Sequence, residues 1–600
     1  MLSPLEPESP PEIELGLTRP QTKVVLSDIS SDERIEIQSL AKGANVSEIT
    51  ASILFRRGVK TPEQAIAFLN PTLRDHLPDP WKILNMKPAI ELLLEAVEKG
   101  KRITVYCDFD VDGLSAGAQL YLYLYALGAN VNYFTPNRFV EGYGVSSQAI
   151  EKLAEAGTKV LVSVDCGITS HAEFTLAKRL GMQTLIIDHH EPNGVSPADV
   201  VVDPAQEGCP FQHERLAAAG LVWMVLIALR SEAQKRTLPL REAIPDPKEF
   251  LDLACLGTVC DMVPLLSLNR LIALRGLQAL ERSPRIGLIA LKNAAGIVEN
   301  RKMNAGHLGF AMGPRINAAG RLDDATKVLE LFVTTDSLKV KSVADSLSQL
   351  NDRRRRVEEG VRDACIEQLI ANPKLASAPA YALFGETFHL GVIGIAAQRL
   401  VEAYHKPSTV MAPGEAVVGG EKVAVIKGSV RGIRGFHVAE VLQELAPLLI
   451  GGGGHAQAGG FTLAVDKLKA FQEAFIDQAR KRLTAEDLIP CKQADAEVSF
   501  KLIDLKLVDE LSKLSPFGVG NPAPLFVAKD VTITNIVSLS NGHVRLRLEQ
   551  QKCSLTAVGW RFQGHSLLKN GNTVNVAFYP EINSYKGVSS VQLNLKEIWI

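Results

Sequence analysis

The stretch Ile103-Thr104-Val105-Tyr106-Cys107-Asp108-Phe109-Asp110-Val111-Asp112-Gly113 opens as a short apolar run and closes on three carboxylates at alternate positions. Alternate residues of an extended segment face the same side, so the acids converge where a strand ends, and Gly113 lets the backbone turn. Three further runs end in the same way. Lys159 to Val164 leads into Asp165-Cys166-Gly167, and Thr184 to Ile187 leads into Asp188-His189-His190. A last apolar segment reaches Asp261 in Thr258-Val259-Cys260-Asp261-Met262-Val263-Pro264. Short apolar runs bounded by polar or glycine residues predict buried strands, and the helical segments between them predict right-handed crossovers in a parallel sheet. Ligands of open α/β sheets bind beyond the carboxyl ends of the strands.

Acids gathered at such a place repel one another unless cations neutralise them. A strand-end or helix-cap role explains one aspartate well and three at alternate positions poorly. The candidate ligands are Asp108, Asp110, Asp112, Asp165, His189 and Asp261. This set is rich in oxygen, with an imidazole and no thiolate, which favours Mn²⁺ or Mg²⁺ over structural zinc. Two such ions about 4 Å apart clamp a phosphoryl oxygen, activate a bridging water and stabilise the leaving oxygen. Asp165 is the carboxylate expected to bridge both ions and so to act catalytically. His190 has two readings: a proton donor or stabiliser of phosphate charge, or a residue that holds the metal carboxylates in place.

At 600 residues the chain is too long for one hydrophobic core, so several domains are expected. A formal net charge of −2 excludes a global basic field, and contact with a polyanion must come from local patches. The eight cysteines are scattered without a C-x-x-C pair, which points to reduced core thiols in a cytoplasmic protein rather than disulfides or zinc. The first forty residues lack an apolar signal core. The longest apolar run, Leu216 to Leu229, lies between Arg215 and Arg230 and is too short to span a bilayer. It predicts a buried helix, and no membrane contact is expected.

Along the chain, residues 1–45 predict a disordered or poorly ordered tail and 46–99 a helical segment. Within the latter, Thr61-Pro62-Glu63-Gln64 reads as a capping box with a first-turn proline. Residues 100–335 hold the parallel-sheet lobe with the acids, 336–372 a long connecting helix, and 373–485 a second α/β lobe. Residues 486–600 change to short β-rich runs, with a hairpin signal at Ser540-Asn541-Gly542, and suit a small barrel of the OB type. The connecting helix carries Arg353-Arg354-Arg355-Arg356, either a solvated face or a ridge that meets a nucleic-acid backbone.

Further candidates concern substrate. Ser429-Val430-Arg431 puts a hydroxyl and a guanidinium on one side of an extended segment, an arrangement suited to a terminal phosphate. Arg315 lies in a stretch rich in glycine, asparagine and alanine, read as a loop that admits a phosphate. Gly451 to Gly454, ahead of His455, offer successive N–H groups in a flexible turn. Arg138 and Tyr143 flank a loop after Val131 to Phe134, where Tyr143 would stack on a base while Arg138 meets the backbone. Each has a plainer reading, as a surface ion pair, a connecting loop or a ring packed on its own loop.

In this order, the Asp-x-Asp-x-Asp-Gly, Val-Asp-Cys-Gly, Asp-His-His and Cys-Asp-Met-Val-Pro elements resemble the four motifs of the DHH phosphoesterase superfamily. The stretches Asn137 to Gly144, Gly313 to Arg321 and Phe517 to Pro522 narrow the resemblance to the bacterial RecJ single-stranded-DNA exonucleases, over roughly residues 45 to 600. The resemblance implies a DHH lobe, a connecting helix, a DHH-associated lobe and an OB-fold. It implies Mn²⁺- or Mg²⁺-dependent removal of nucleotides from the 5′ end of single-stranded DNA, in repair and recombination. Asp110, Asp112, Asp165, His189 and Asp261 take the ligand positions. Asp108 stands near where other DHH phosphoesterases supply a histidine. Ser429, Arg431, Arg315 and His455 take the positions of phosphate contacts. The expected partners are single-stranded DNA, a single-strand-binding protein and a helicase, acting with a monomer. Two alternatives stand beside this: a DHH phosphoesterase for oligonucleotides, cyclic dinucleotides or pyrophosphate, and a non-catalytic replication scaffold.

Overall fold

One parallel sheet has five strands, all but β2 leading directly into an acid: β1 (Arg102–Cys107), β2 (Asn130–Phe134), β3 (Val160–Val164), β4 (Gln183–Ile187) and β5 (Val200–Val202). Their order is β2-β1-β3-β4-β5, so the winding reverses direction between β1 and β3. Crevices open at such a reversal, beyond the strands' carboxyl ends. The register sets the ends level. Cys107 pairs with Val164, Val164 with Ile187, and Ile187 with Val202. The next residue in each strand is therefore an aspartate in one row: Asp108, Asp165, Asp188 and Asp203. The computed structural model describes residues 17, 20–26, 28–137, 144–211, 215–298, 302–418, 421–585 and 587–600.

Four helices around this sheet matter for the site: α1 (Val111–Ala126), α2 (Ala218–Ala233), α3 (Leu251–Cys260) and α4 (Ser267–Glu281). The run before Asp261 is thus a helix and not the expected fourth strand. Periodicity does not separate a buried helix from a buried strand in a short apolar run. Here Leu251 to Thr258 are all buried, and leucine and alanine favour the helix. Arg315 is also displaced from expectation, since it lies on α5 (Gly313–Leu322) rather than in a loop. The buried helix expected over Leu216 to Leu229 is α2, and the Thr61 capping box is present.

The chain divides into two compact units, the first mainly residues 31–351 with 510–523, the second mainly 352–509 with 524–600. Part of the stretch expected as a tail is regular structure. Helix Ser31–Ala44 buries Ile37, Leu40 and Ala41, and Lys23–Leu26 pairs in parallel with Cys491–Ala494. The long helix α6 runs Ser337–Ala371.

In the second unit, β6 (Tyr381–Phe384), β7 (Ser408–Val418), β8 (Glu421–Arg431), β9 (Gly451–Gly454) and β10 (Ala458–Ala464) form a sheet in the order β9-β10-β8-β7-β6. The four glycines are therefore an edge strand, antiparallel to β10, and not a turn. Strands β11 (Ala496–Glu497), β12 (Phe526–Ser538), β13 (Val544–Gln550), β14 (Cys553–Gly559), β15 (Thr573–Tyr585) and β16 (Val588–Trp599) build the C-terminal domain. Pairing of β12 with both β13 and β15 closes it into a barrel. The β12–β13 turn holds Asn541 at φ 59° and Gly542 at φ 74°, as the Ser-Asn-Gly signal predicts.

Candidate metal centre

Three overlapping groups of possible ligands converge at the strand ends: Asp108, Asp110 and Asp165; Asp112, His189 and Asp261; and Asp165, Asp188, His189 and His190. Within each, one ligand atom per residue lies within 4.8 Å of the others. All six residues expected as ligands take part.

Each is held by a different device. Asp110 is the N-cap of α1, where its Oδ1 accepts from the N–H groups of Asp112 (2.9 Å) and Gly113 (3.0 Å). Gly113 is needed for close approach, because a Cβ there would lie 2.7 Å from the Asp108 carbonyl oxygen. Asp112 is buried in the first turn of α1 and accepts from the first N–H groups of α2, Ala218 to Oδ2 (2.6 Å) and Ala219 to Oδ1 (2.8 Å). A carboxylate at a helix N-terminus is favoured by the helix dipole. Asp165 sits at φ 62°, a left-handed conformation that aspartate tolerates better than most residues but that costs on the order of 1–3 kcal/mol. Asp261 caps the C-terminus of α3.

Burial and mutual repulsion set the electrostatics. Burial first, then neighbouring carboxylates, push Asp112 and Asp165 well above the usual carboxylate range. Burial and Asp110 push Asp261 up to about 7. This is the charge problem that a cation solves. The imidazole of His189 supplies the most direct fit. Its Nδ1 lies 2.7 Å from the Leu216 carbonyl, to which it donates, so the lone pair belongs to Nε2. That lone pair faces Asp165 Oδ1 at 3.1 Å and Asp112 Oδ2 at 3.9 Å. Burial holds His189 down at about 3, a neutral imidazole. A lone pair turned toward two carboxylates, with the other ring nitrogen on a main-chain carbonyl, is the arrangement of a metal-binding histidine.

Asp188, quoted in the sequence but given no role there, organises the Asp-His-His turn. Its Oδ1 accepts from the main-chain N–H groups of His189 (2.7 Å) and His190 (3.2 Å) and bonds His190 Nδ1 at 2.7 Å. Its Oδ2 accepts from Ile168 N–H at 3.1 Å. Burial opposes both charges, yet the hydrogen bond and mutual attraction raise His190 and hold Asp188 low. Asp203 was missed altogether, although Val200-Val201-Val202-Asp203 repeats the pattern of an apolar run ending in an acid. It is buried, which pushes it up to about 7, and its Oδ1 accepts from Ala205 N–H.

The substrate candidates divide. Arg138 and Tyr143 lie outside the described residues. Arg315 donates from Nε to Ser348 Oγ (3.1 Å) and from Nη1 to the Ala311 carbonyl (2.7 Å). In the second unit, Arg431 Nη1 reaches Ser429 Oγ at 3.0 Å, so hydroxyl and guanidinium do share a side of β8. The first turn of α7 (Ile393–Tyr404) abuts them, since a Cβ on Gly394 would lie 2.9 Å from Ser429 Oγ and 3.0 Å from Arg431 Nη2. His455 is exposed and donates its N–H to the carbonyl of Ala458, whose own register partner is Arg431. In the arginine run, Arg354 turns inward to Glu358 (2.9 Å), which Arg399 also pairs at 3.1 Å, while Arg353, Arg355 and Arg356 are exposed.

The sheet reversal, the row of acids and the histidine-carboxylate facing define a DHH-type phosphoesterase, and residues 102–258 match the model of the DHH family N-terminal domain. Residues 376–481 match the DHHA1 domain and 494–597 the RecJ OB domain. The single-stranded-DNA-specific exonuclease RecJ of Bacillus subtilis (strain 168) is 31% identical over 574 residues, covering 95% of this chain and 70% of that one. RecJ of Escherichia coli (strain K12) is 32% identical, covering 87% and 91%. The crystal structure of Thermus thermophilus RecJ in complex with Mn²⁺ has a TM-score of 0.81 at 28% identity, covering 96% of this chain and 79% of that one. The chain belongs to the RecJ family of single-stranded-DNA-specific exonucleases.

Proposed function

We propose that the chain removes nucleotides from the 5′ end of single-stranded DNA, with the strand-end acids holding two divalent cations, Mn²⁺ or Mg²⁺. The observation that carries the reading is the neutral His189, whose Nε2 faces Asp165 and Asp112. Asp108, Asp110, Asp112, Asp165, His189 and Asp261 are the ligands, with Asp165 shared between the two groups it joins. Divalent cations there supply neutralisation of phosphoryl charge and a lowered pKa for the attacking water. Asp112 stays fixed between the α2 N–H groups and the cluster. His190, bonded through Nδ1 to Asp188 and raised by it above the usual imidazole range despite burial, is the proton donor to a phosphoryl or leaving oxygen. This favours the proton-donor reading of His190 and makes Asp188 its positioning residue.

Ser429, Arg431 and the first turn of α7 suit a terminal 5′-phosphate, since a guanidinium, a hydroxyl and helix N–H groups together match its oxygens. Arg138 and Tyr143 are proposed to contact the strand, with Arg315 and His455 as further phosphate contacts. Enzymes of this kind need strands opened for them, so a helicase and a single-strand-binding protein are the proposed partners of a monomeric, cytoplasmic enzyme. Among the described residues no helix is long and apolar enough to cross a membrane.

The test is Asp110→Asn rather than Asp110→Ala. Asparagine keeps the N-cap of α1, worth about 0.5–2 kcal/mol, and removes the ligand charge. Activity is expected to vanish with an unchanged circular dichroism spectrum and melting temperature. Full turnover in Mn²⁺ would remove Asp110 from the site.

A further inference from the structure

Asp261 stands at the C-terminal end of its helix, where the element supports it from one side only. Its side chain is 25% exposed, against 4% or less for Asp112 and Asp165. The following Met262 is left-handed at φ 61° and 69% exposed. The loop from Asp261 to Leu266 is instead held from below by a segment about 250 residues later, Lys513 to Pro522, which contains the Phe517-Gly518-Val519-Gly520-Asn521-Pro522 motif. Leu265 donates its N–H to the Val519 carbonyl at 2.8 Å. The packing there leaves no space: a Cβ on Gly518 would lie 2.7 Å from Leu265 Cδ1, and one on Gly520 3.1 Å from Pro264 Cβ.

The segment is itself clamped. Arg270, 1% exposed, projects from α4, the helix that begins directly after the Asp261 loop. Nη1 donates to the Leu514 carbonyl (2.8 Å), and Nη2 to those of Lys513 (3.0 Å) and Ser515 (2.9 Å). Nε donates to the Phe68 carbonyl (2.8 Å), and the guanidinium lies 4.0 Å over the Phe68 ring. A buried guanidinium bound to carbonyls alone is costly to desolvate, and its planar fork fixes three consecutive carbonyls in one geometry. Asn521, fully buried, donates to the Leu514 and Pro516 carbonyls, both at 2.8 Å, and accepts from Arg57. On the other side of the Asp261 loop, Asn269 donates to the Pro264 carbonyl at 3.0 Å and the Arg215 carbonyl at 2.8 Å.

We propose that the Lys513–Pro522 segment, locked by Arg270 and Asn521 and joined to the metal loop through the Val519 carbonyl and Leu265, positions Asp261 for cation binding. Arg270 and Asn521, both buried, are positioning residues that act through Leu265. The proposal rests on Asp261 being a metal ligand.

Gly518→Ala is the sharpest probe. Its backbone is outside the left-handed region, so the added methyl strains no torsion and presses only on Leu265. Arg270→Lys keeps the charge and removes the fork. Mn²⁺ binding to the DNA-free full-length chain, followed by electron paramagnetic resonance of the free ion, is measured with wild type, both variants and Asp261→Asn. Gly518→Ala is expected to weaken Mn²⁺ binding about tenfold, the usual scale for a residue supporting a metal ligand, with the circular dichroism spectrum and single-strand affinity unchanged and the melting temperature lowered by no more than overpacking by one methyl group costs. Turnover should recover at saturating Mn²⁺. Unchanged Mn²⁺ affinity in Gly518→Ala, whatever its melting temperature, would overturn the proposal even if Arg270→Lys fails to fold. If wild type binds no Mn²⁺, or Asp261→Asn binds it as tightly as wild type, the metal-centre reading itself fails instead.

Discussion

A single carboxylate shows how closely the centre is fitted. Asp112 takes two N–H bonds from α2, faces His189, and is pressed by α3, where a Cβ on Gly257 would lie 2.5 Å from Asp112 Oδ1 and 2.4 Å from the Ala219 Cβ. Two effects compete in Gly257→Ala. Helix propensity gains about 1 kcal/mol, whereas overpacking a filled core costs about 1–3 kcal/mol. With both contacts fixed by other bonds, the steric cost wins, and turnover is expected to fall at least about tenfold as Asp112 is displaced. Steady-state kinetics beside a melting curve checks this, and an unchanged kcat contradicts the placement of Asp112. At Arg431 the expectation is narrower. Arg431→Ala removes a charged hydrogen bond worth about 1.5–3 kcal/mol. KM for 5′-phosphorylated strands should rise by one order of magnitude or more, and 5′-hydroxyl strands should be unaffected. Equal loss on both would assign Arg431 to general packing. At this scale the acids and His189 were legible, because only clustered charge demands cations. The Leu216 carbonyl and the Ala218 and Ala219 N–H groups were not, since every residue has such groups and only the fold selects among them.

Elements supply the geometry that residues lack. The N-terminus of α2 orients Asp112, and Pro is well tolerated at a first helical position such as Ala218, after Ala217 at ψ 155°. Ala218→Pro therefore keeps the helix and deletes the N–H that Asp112 Oδ2 accepts at 2.6 Å. A loss of at least about tenfold in kcat is expected, with the melting temperature held within a few degrees. Wild-type kcat would show that the helix end does not orient the acid. Three of the four acid-bearing runs were strands as read. The fourth was a helix, because Leu251 to Cys260, apolar except for Asp252 and Thr258, is buried all round as far as Thr258 and carries no period to tell the two apart. Gly451 to Gly454 failed in the opposite sense. Glycine signals freedom, but β10 recruited the stretch as an edge strand through main-chain bonds that need no side chain.

Across the whole molecule, the change from alternating α/β pattern to short β runs was visible in sequence, and so were the long helix and the barrel's hairpin. What sequence spacing hid was the return of residues 510–523 to the first unit, where Ser47 binds Glu510 at 2.6 Å and Arg270 clasps the carbonyls of 513–515. Contacts between segments so far apart in the chain, made largely by main-chain groups, leave no periodic trace. The family match and the metal-type centre meet in one claim: cation-dependent hydrolysis from the 5′ end of a single strand. The most direct measurement is digestion of single-stranded DNA with each end blocked in turn, in Mn²⁺ and in chelator. Mononucleotides should appear from strands with a free 5′ end, only in Mn²⁺, and a 5′ block should stop release while a 3′ block does not. Release that persists behind a 5′ block, or in chelator, would contradict the account.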